Sequence, residues 1–240
     1  MIGSFLLWAW VWILGASLST LAVILSVPFN PWTDPKRVVV GYLSQAWGRG
    51  VMWVLPGITI EARGFEHLKG GGVMLVPNHS SISDVIMLLA ALPQFKFMAK
   101  APLFWIPPIG WHLYLAGYIR AGTGDESDAP RVLHACRKWL KLGCHVLWFP
   151  EGHRSFDGAV KRFKTGAFVA AKEAGVKVVP VAITGTPSVI KNRSLRYFFK
   201  GIRVQITLLP GFTVDGEPKA AAQRAREIVA KQVALQRATE

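Results

Sequence analysis

From Met1 to Thr33 the chain carries no charged side chain, and Phe5 to Val27 is an almost unbroken apolar run. As a helix that run is about 35 Å long, enough to cross the hydrocarbon core of a bilayer. A cleaved signal peptide fits it less well. No basic segment precedes the run, the run is long for such a leader, and Lys36 and Arg37 follow it directly. Trp8, Trp10 and Trp12 near one end, and Trp32 behind Pro28 and Pro31, suit aromatic anchoring at a membrane interface. A second apolar segment, Val38 to Pro56, is interrupted by Gly48, Arg49 and Gly50 and makes a poor independent span. Two geometries follow: the first helix spans while the second lies on the surface, or both form a hairpin dipped into one leaflet. In either, Lys36 and Arg37 predict a membrane-bound protein whose following domain lies on the cytoplasmic face. Residues 1–56 are therefore expected to be an N-terminal membrane anchor, a spanning helix or a two-helix membrane motif.

Past residue 57 the texture changes. Short β-branched or apolar runs predict strands at Ile58–Ala62, Val73–Val76, Phe95–Ala99, Leu115–Arg120, His145–Phe149, Val176–Thr184 and Ile202–Leu208. Helical patterns separate them at Ser81–Leu92, Ala129–Leu142, Thr165–Ala174 and Pro218–Gln236, the last with an apolar stripe suited to packing on a sheet. The alternation predicts that residues 57–240 form a single α/β domain with a mixed, largely buried sheet flanked by helices. Two cysteines, Cys136 and Cys144, exclude a disulfide framework. The formal net charge is +14, and residues 137–240 hold nineteen Lys and Arg against seven Asp and Glu. The second half is thus expected to meet anions. Zinc-finger spacing and RNP-like strands are absent, so nucleic acid is not the expected partner of this charge.

The chemistry concentrates at strand ends. Val76-Pro77-Asn78-His79-Ser80-Ser81-Ile82-Ser83-Asp84 reads as a strand-to-helix turn, where α/β sheets commonly bind ligands. On a continuous helix His79 and Asp84 would diverge by about 140°. They can meet if His79 lies in the turn and Asp84 one helical turn inside. A carboxylate on one imidazole nitrogen leaves the other as a proton acceptor, so the pair can act as a general base on a hydroxyl. A second stretch, Phe149-Pro150-Glu151-Gly152-His153-Arg154-Ser155, makes a tight turn after another strand. Its Arg154 suits bidentate phosphate binding. Arg120 and Lys100 stand at the ends of further strands, and Lys161, Arg162 and Lys164 add a basic cluster. These cations suggest a phosphorylated, hydroxyl-bearing acceptor. The carboxylates and histidines show no recurrent metal-ligand spacing, so no metal is expected.

Asn78-His79-x4-Asp84, Phe149-Pro150-Glu151-Gly152-His153-Arg154-Ser155 and Val179-Pro180-Val181-Ala182-Ile183 before Gly185 resemble the ordered motif blocks of glycerolipid acyltransferases, specifically the 1-acyl-sn-glycerol-3-phosphate (lysophosphatidic acid) acyltransferases. Between them, Lys100-x2-Leu103-x3-Pro107-x2-Gly110 and Gly117-Tyr118-Ile119-Arg120 resemble the second block, and Lys164-x-Gly166-x-Phe168 resembles the segment after the third. Coverage runs from about residue 73 to 186.

The resemblance implies transfer of a fatty acyl group from acyl-CoA or acyl carrier protein to the sn-2 hydroxyl of lysophosphatidic acid, giving phosphatidic acid, with no cofactor beyond that co-substrate. It assigns His79 as general base, Asp84 as its orienting carboxylate and Asn78 as its support. Arg120 and Arg154 would hold the acceptor's phosphate, Glu151 and Gly152 would shape the pocket, and Lys100 and Lys164 would add anion contacts. Backbone amides near the Glu151–Gly152 turn are candidate oxyanion donors. Three positions depart from the pattern: Pro102 replaces the usual Glu, His153 the usual Thr, and Ile119 an Asp that often precedes the Arg. They leave the base and the arginines in place but bear on the acceptor headgroup, so a related enzyme for another lysolipid is the alternative. A hydrolase is disfavoured, because the chain has no G-x-S-x-G elbow.

Overall fold

Asp34, the first charged residue of the chain, closes the turn between two apolar helices. Its carboxylate accepts the backbone N–H groups of Val38 and Val39 at 2.9 and 3.0 Å, satisfying donors that an N-terminal helix end leaves open. The helices are α1 (Ile2–Leu25) and α2 (Val38–Trp53). The computed structural model describes residues 2–55, 57–122, 128–190, 196–198 and 201–238. In it α1 is docked along α2: the indole N–H of Trp10 donates to Gly50 O at 3.0 Å, and that of Trp47 to Val11 O at 3.2 Å. Trp8 packs against Tyr197. Trp8 and Trp10 are therefore spent on internal contacts, whereas Trp12 and Trp32 stay exposed.

Seven strands form, six of them where the sequence places them, as β1 (Ile58–Arg63), β2 (Met74–Pro77), β3 (Phe95–Lys100), β4 (Ile119–Ala121), β5 (His145–Leu147), β6 (Val178–Thr184) and β7 (Ile202–Leu208). They make one mixed sheet in the order β1-β7-β6-β2-β5-β3-β4. Pairing is parallel throughout except between β6 and β7. The α/β class, with the sheet buried between helices, is as the sequence predicts. Alternation along the strands supplies two cores. Leu75, Leu147, Val179 and Ile183 face one side with residues of α1 and α2. Met74, Val76, Val146 and Val178 face the other, under α5 (Ala129–Lys141), α6 (Gly166–Ala174) and α8 (Pro218–Arg237). The stripe on α8 packs on β6, as expected.

The expected strand Leu115–Arg120 is corrected. Its first residue ends a helix, α4 (Ile109–Leu115), and only Ile119–Ala121 is strand. Gly117, at φ 71°, turns the chain out of α4. The Tyr118 N–H bonds Leu113 O and the Gly117 N–H bonds Tyr114 O, both at 3.0 Å, a helix-ending pattern that favours glycine. A 3₁₀ turn at Ala101–Trp105 precedes α4. Two buried polar contacts then fix this connection. Lys96 Nζ donates to Ala116 O at 2.7 Å, and burial lowers the amine to about 8. His112 Nε2 lies 2.7 Å from Ser44 Oγ on α2, and burial, helped by Lys96, lowers the imidazole to about 4.

The α1–α2 pair and the rest of the chain share packing. Leu7, Val11, Ala22, Val40, Val51 and Leu55 belong to the same buried cluster as the sheet residues on that face. α3 (Ser83–Ala91) lies between them, in contact with α2.

Candidate active site

β2 is buried along its whole length and delivers Asn78 and His79 to the carboxyl edge of the sheet. Asn78 ties this end to β6 in both directions: its amide donates to Ile183 O at 3.0 Å and its oxygen accepts the Ile183 N–H at 2.8 Å. The chain then turns, and α3 opens with Asp84 as its second residue. Asp84 Oδ2 lies 2.7 Å from His79 Nδ1 and also accepts the backbone N–H groups of Ser80 at 2.8 Å and Ser81 at 3.0 Å. The turn therefore does what a continuous helix could not, folding back so that residues five apart meet. Asp84 is wholly buried, while the His79 side chain keeps 18% of its surface exposed. With Nδ1–H donating to the carboxylate, Nε2 carries the lone pair that can take a proton.

The second motif clamps the first. Glu151, 2% exposed, accepts the His79 N–H on Oε1 at 2.9 Å and the Lys161 N–H on Oε2 at 3.1 Å. The Ser155 N–H donates to His79 O at 2.8 Å. Both backbone groups of the histidine are thus held by the 151–155 segment. Burial pushes the Glu151 carboxyl above its ordinary value, against the opposing effect of its two N–H donors. Phe149 supplies a further contact, its ring stacked on the imidazole with centroids 4.0 Å apart.

Each oxygen of Glu151 accepts a backbone N–H, so the residue acts on the site by holding the His79 and Lys161 backbones and is a positioning residue. The Gly152 N–H is likewise taken by Phe149 O at 3.2 Å, which removes it from the candidate oxyanion donors. Gly152 itself is required by its backbone, at φ 75°. A Cβ there would come within 3.2 Å of Lys164 Nζ, so that amine lies directly over the turn. Arg154 is half-buried, its guanidinium carbon 5.9 Å from the centre of the Phe156 ring. His153 is exposed.

Parallel pairing places the remaining cations on the same edge at increasing distance. Lys100 ends β3, paired with Ala121, and Arg120 of β4 is paired with Ala99. Counting strands, the Arg154 loop is one strand from β2, Lys100 two and Arg120 three. At strand spacing that puts β4 about 14 Å from β2. Arg154 is the near cation and Arg120 the far one. The sequence gives no role to Phe149 or Thr186, and the serines of the turn, suited by type to capping α3, instead bond beneath it. Ser80 Oγ lies 3.3 Å from Thr186 Oγ1, and Ser83 Oγ donates to Thr186 O at 3.1 Å. Their visible signal was polar residues inside an otherwise apolar context. Among the described residues no group of three His, Cys, Asp or Glu side chains comes together in a way that could hold a metal ion.

A family model described as Acyltransferase matches residues 59–184, which contain His79, Asp84, Lys100, Arg120, Glu151, Arg154 and Lys164. The chain belongs to the Acyltransferase family. Within it, a 1-acyl-sn-glycerol-3-phosphate acyltransferase of Chlamydomonas reinhardtii is 31% identical over 225 residues, 92% of this chain and 68% of that one. The chloroplastic enzyme of that name from Arabidopsis thaliana is 33% identical, over 75% of this chain and 51% of its own length. The human alpha form is 32% identical, over 72% of this chain and 62% of its own. The chain thus spans about half to two thirds of these curated relatives. A crystal structure of the 1-acyl-sn-glycerophosphate (LPA) acyltransferase of Thermotoga maritima superposes with a TM-score of 0.81 at 23% identity, over 99% of this chain and 97% of that one. That likeness is one of fold, and it extends over both the α1–α2 segment and the acyltransferase body.

Proposed function

We propose that this acyltransferase-family chain transfers a fatty acyl group from an acyl thioester, acyl-CoA or acyl carrier protein, to the sn-2 hydroxyl of lysophosphatidic acid, producing phosphatidic acid. The observation that carries the reading is the His79–Asp84 pair at a sheet edge where cations gather. His79 Nε2 removes the hydroxyl proton as the oxygen attacks the thioester carbonyl. Asp84 holds the imidazole in the required tautomer and stabilises the imidazolium. The tetrahedral intermediate then collapses with loss of thiolate, which takes the proton back from His79. No acyl-enzyme is needed, since a thioester is already activated and the protein's main task is alignment. Arg154 binds the acceptor phosphate, Lys164 lies beside it over the Gly152 turn, and Lys100 and Arg120 extend the positive edge outward.

In this reading Arg154→Ala raises the Michaelis constant for lysophosphatidic acid by about tenfold or more and leaves that for the acyl donor within about twofold, because the lost charge-assisted bonds belong to the acceptor alone. Initial rates with each substrate varied in turn check this. Equal damage to both constants overturns the assignment. A panel in which lysophosphatidic acid is inert and another lysolipid reacts overturns the headgroup.

The docked α1–α2 pair supports a membrane-associated hairpin more readily than a free span, because α1 is held along its side by α2 and α4. A hairpin in one leaflet leaves the body on the side where it is synthesised, the cytoplasmic face, as Lys36 and Arg37 also favour. Labelling of residues beyond 60 by a membrane-impermeant reagent on intact cells would contradict this placement.

A further inference from the structure

Between Lys100 and Arg120 the chain runs nineteen residues without an Asp, Glu, Lys or Arg. This stretch connects β3 to β4 by way of the 3₁₀ turn and α4, and it leaves the sheet at the edge that carries His79. Connections at such an edge face water and are ordinarily polar. Here Trp105 is 70% exposed, Trp111 53% and Tyr114 52%, with Leu103 and Ile106 exposed beside them.

The exposure is not loose packing. The inner side of the same segment is built tightly: Phe104 and Leu113 are buried, and the Tyr114 ring meets Phe104 edge-on with centroids 4.9 Å apart. Gly110 passes so close to the Phe104 carbonyl that a Cβ there would lie 2.1 Å from its oxygen. Together with the Ser44–His112 contact, this makes a rigid frame that presents the outer rings to solvent.

Two observations say what covers them. First, α4 packs against α1, whose own outward residues Phe5, Leu6, Ile13 and Ile24 are exposed, so the apolar surface continues from one element to the other. Second, the exposed residues are mainly Trp and Tyr, and cations stand at both ends of the segment, Lys100 and Arg120. Amphipathic rings level with headgroups and cations against phosphates are the chemistry of a bilayer interface.

We propose that the Leu103–Tyr114 segment is a second bilayer contact, separate from the α1–α2 hairpin, which seats the catalytic edge on the leaflet so that a lipid acceptor reaches His79 without leaving the membrane. The proposal rests on the lysolipid reading and on the membrane association of α1. It assigns the outer residues of this segment to lipid and its inner residues to the fold.

The test uses the full chain with both tryptophans replaced, Trp105→Ala with Trp111→Ala, and a companion with Phe at both positions. Sedimentation with phosphatidylcholine vesicles reads partitioning. Acyl transfer is read with long-chain lysophosphatidic acid in vesicles and with a short-chain, monomerically soluble one. The Ala variant should lose about tenfold in vesicle partitioning and gain about tenfold in Michaelis constant for the vesicle-borne acceptor, and Phe should restore most of both. Its kcat/KM for the soluble acceptor should stay within about twofold of wild type. Unchanged partitioning overturns the proposal, whether or not sedimentation reveals a lost self-association. Equal loss with the soluble acceptor also overturns it, since the segment would then be building the pocket. If the wild type acylates neither acceptor, the proposed activity fails, and the partitioning result still decides whether this segment touches lipid.

Discussion

His79→Ala should lower the turnover of acyl transfer by about a thousandfold or more while leaving the protein folded, because it deletes the proposed general base, the imidazole held by Asp84 at the sheet edge. The fold should survive the change. Asp84 keeps its Ser80 and Ser81 donors, and the histidine's own backbone bonds to Glu151 and Ser155 do not depend on its ring. Single-turnover rates with saturating donor and acceptor, beside circular dichroism melts, make the measurement. Near-normal turnover in a folded variant would remove His79 from the mechanism.

Glu151→Ala has the second largest effect, and for a different reason. Two half-buried backbone N–H groups, on His79 and Lys161, lose their acceptor together, and a donor left without a partner costs up to about 1–3 kcal/mol where water cannot replace it. Stability and turnover should fall in parallel, with the base and the Arg154 loop both released. Glu151→Gln keeps one acceptor oxygen and should lie between wild type and Ala in melting temperature and in kcat. A direct role in phosphate binding predicts otherwise: both variants would then raise the acceptor's Michaelis constant with the melting temperature unchanged. That outcome would make Glu151 a direct substrate contact.

Much of the fold was legible because the strands are short, β-branched and buried, and the helices between them are periodic. What escaped was decided by tertiary contact. The expected strand Leu115–Arg120 starts too early, because Leu115 still ends α4 and Gly117 turns the chain before the strand begins at Ile119. At the site, the meeting of His79 and Asp84 followed from turn geometry, whereas the work of Glu151 could not. Its partners are 72 and ten residues away in the chain, and nothing local distinguishes a carboxylate that faces substrate from one that faces backbone. The strand order was equally hidden. It makes Arg154 a neighbour of the base and Arg120 a distant one, although both look alike as strand-end arginines.

The packing of α1 and α2 into the body's own core ties attachment to folding by linkage. Val40, Val51 and Leu55 share a buried cluster with Leu88, Leu89 and Leu92 of the α3 region, so lipid cannot draw the hairpin away without uncovering apolar surface on the catalytic half. On the proposed membrane placement, a bilayer would have to accept these helices in their docked form, and the free energy of insertion and the free energy of folding would become one coupled quantity. A leaflet that binds the docked form stabilises the enzyme, and a solvent that loosens the enzyme weakens its hold on the leaflet.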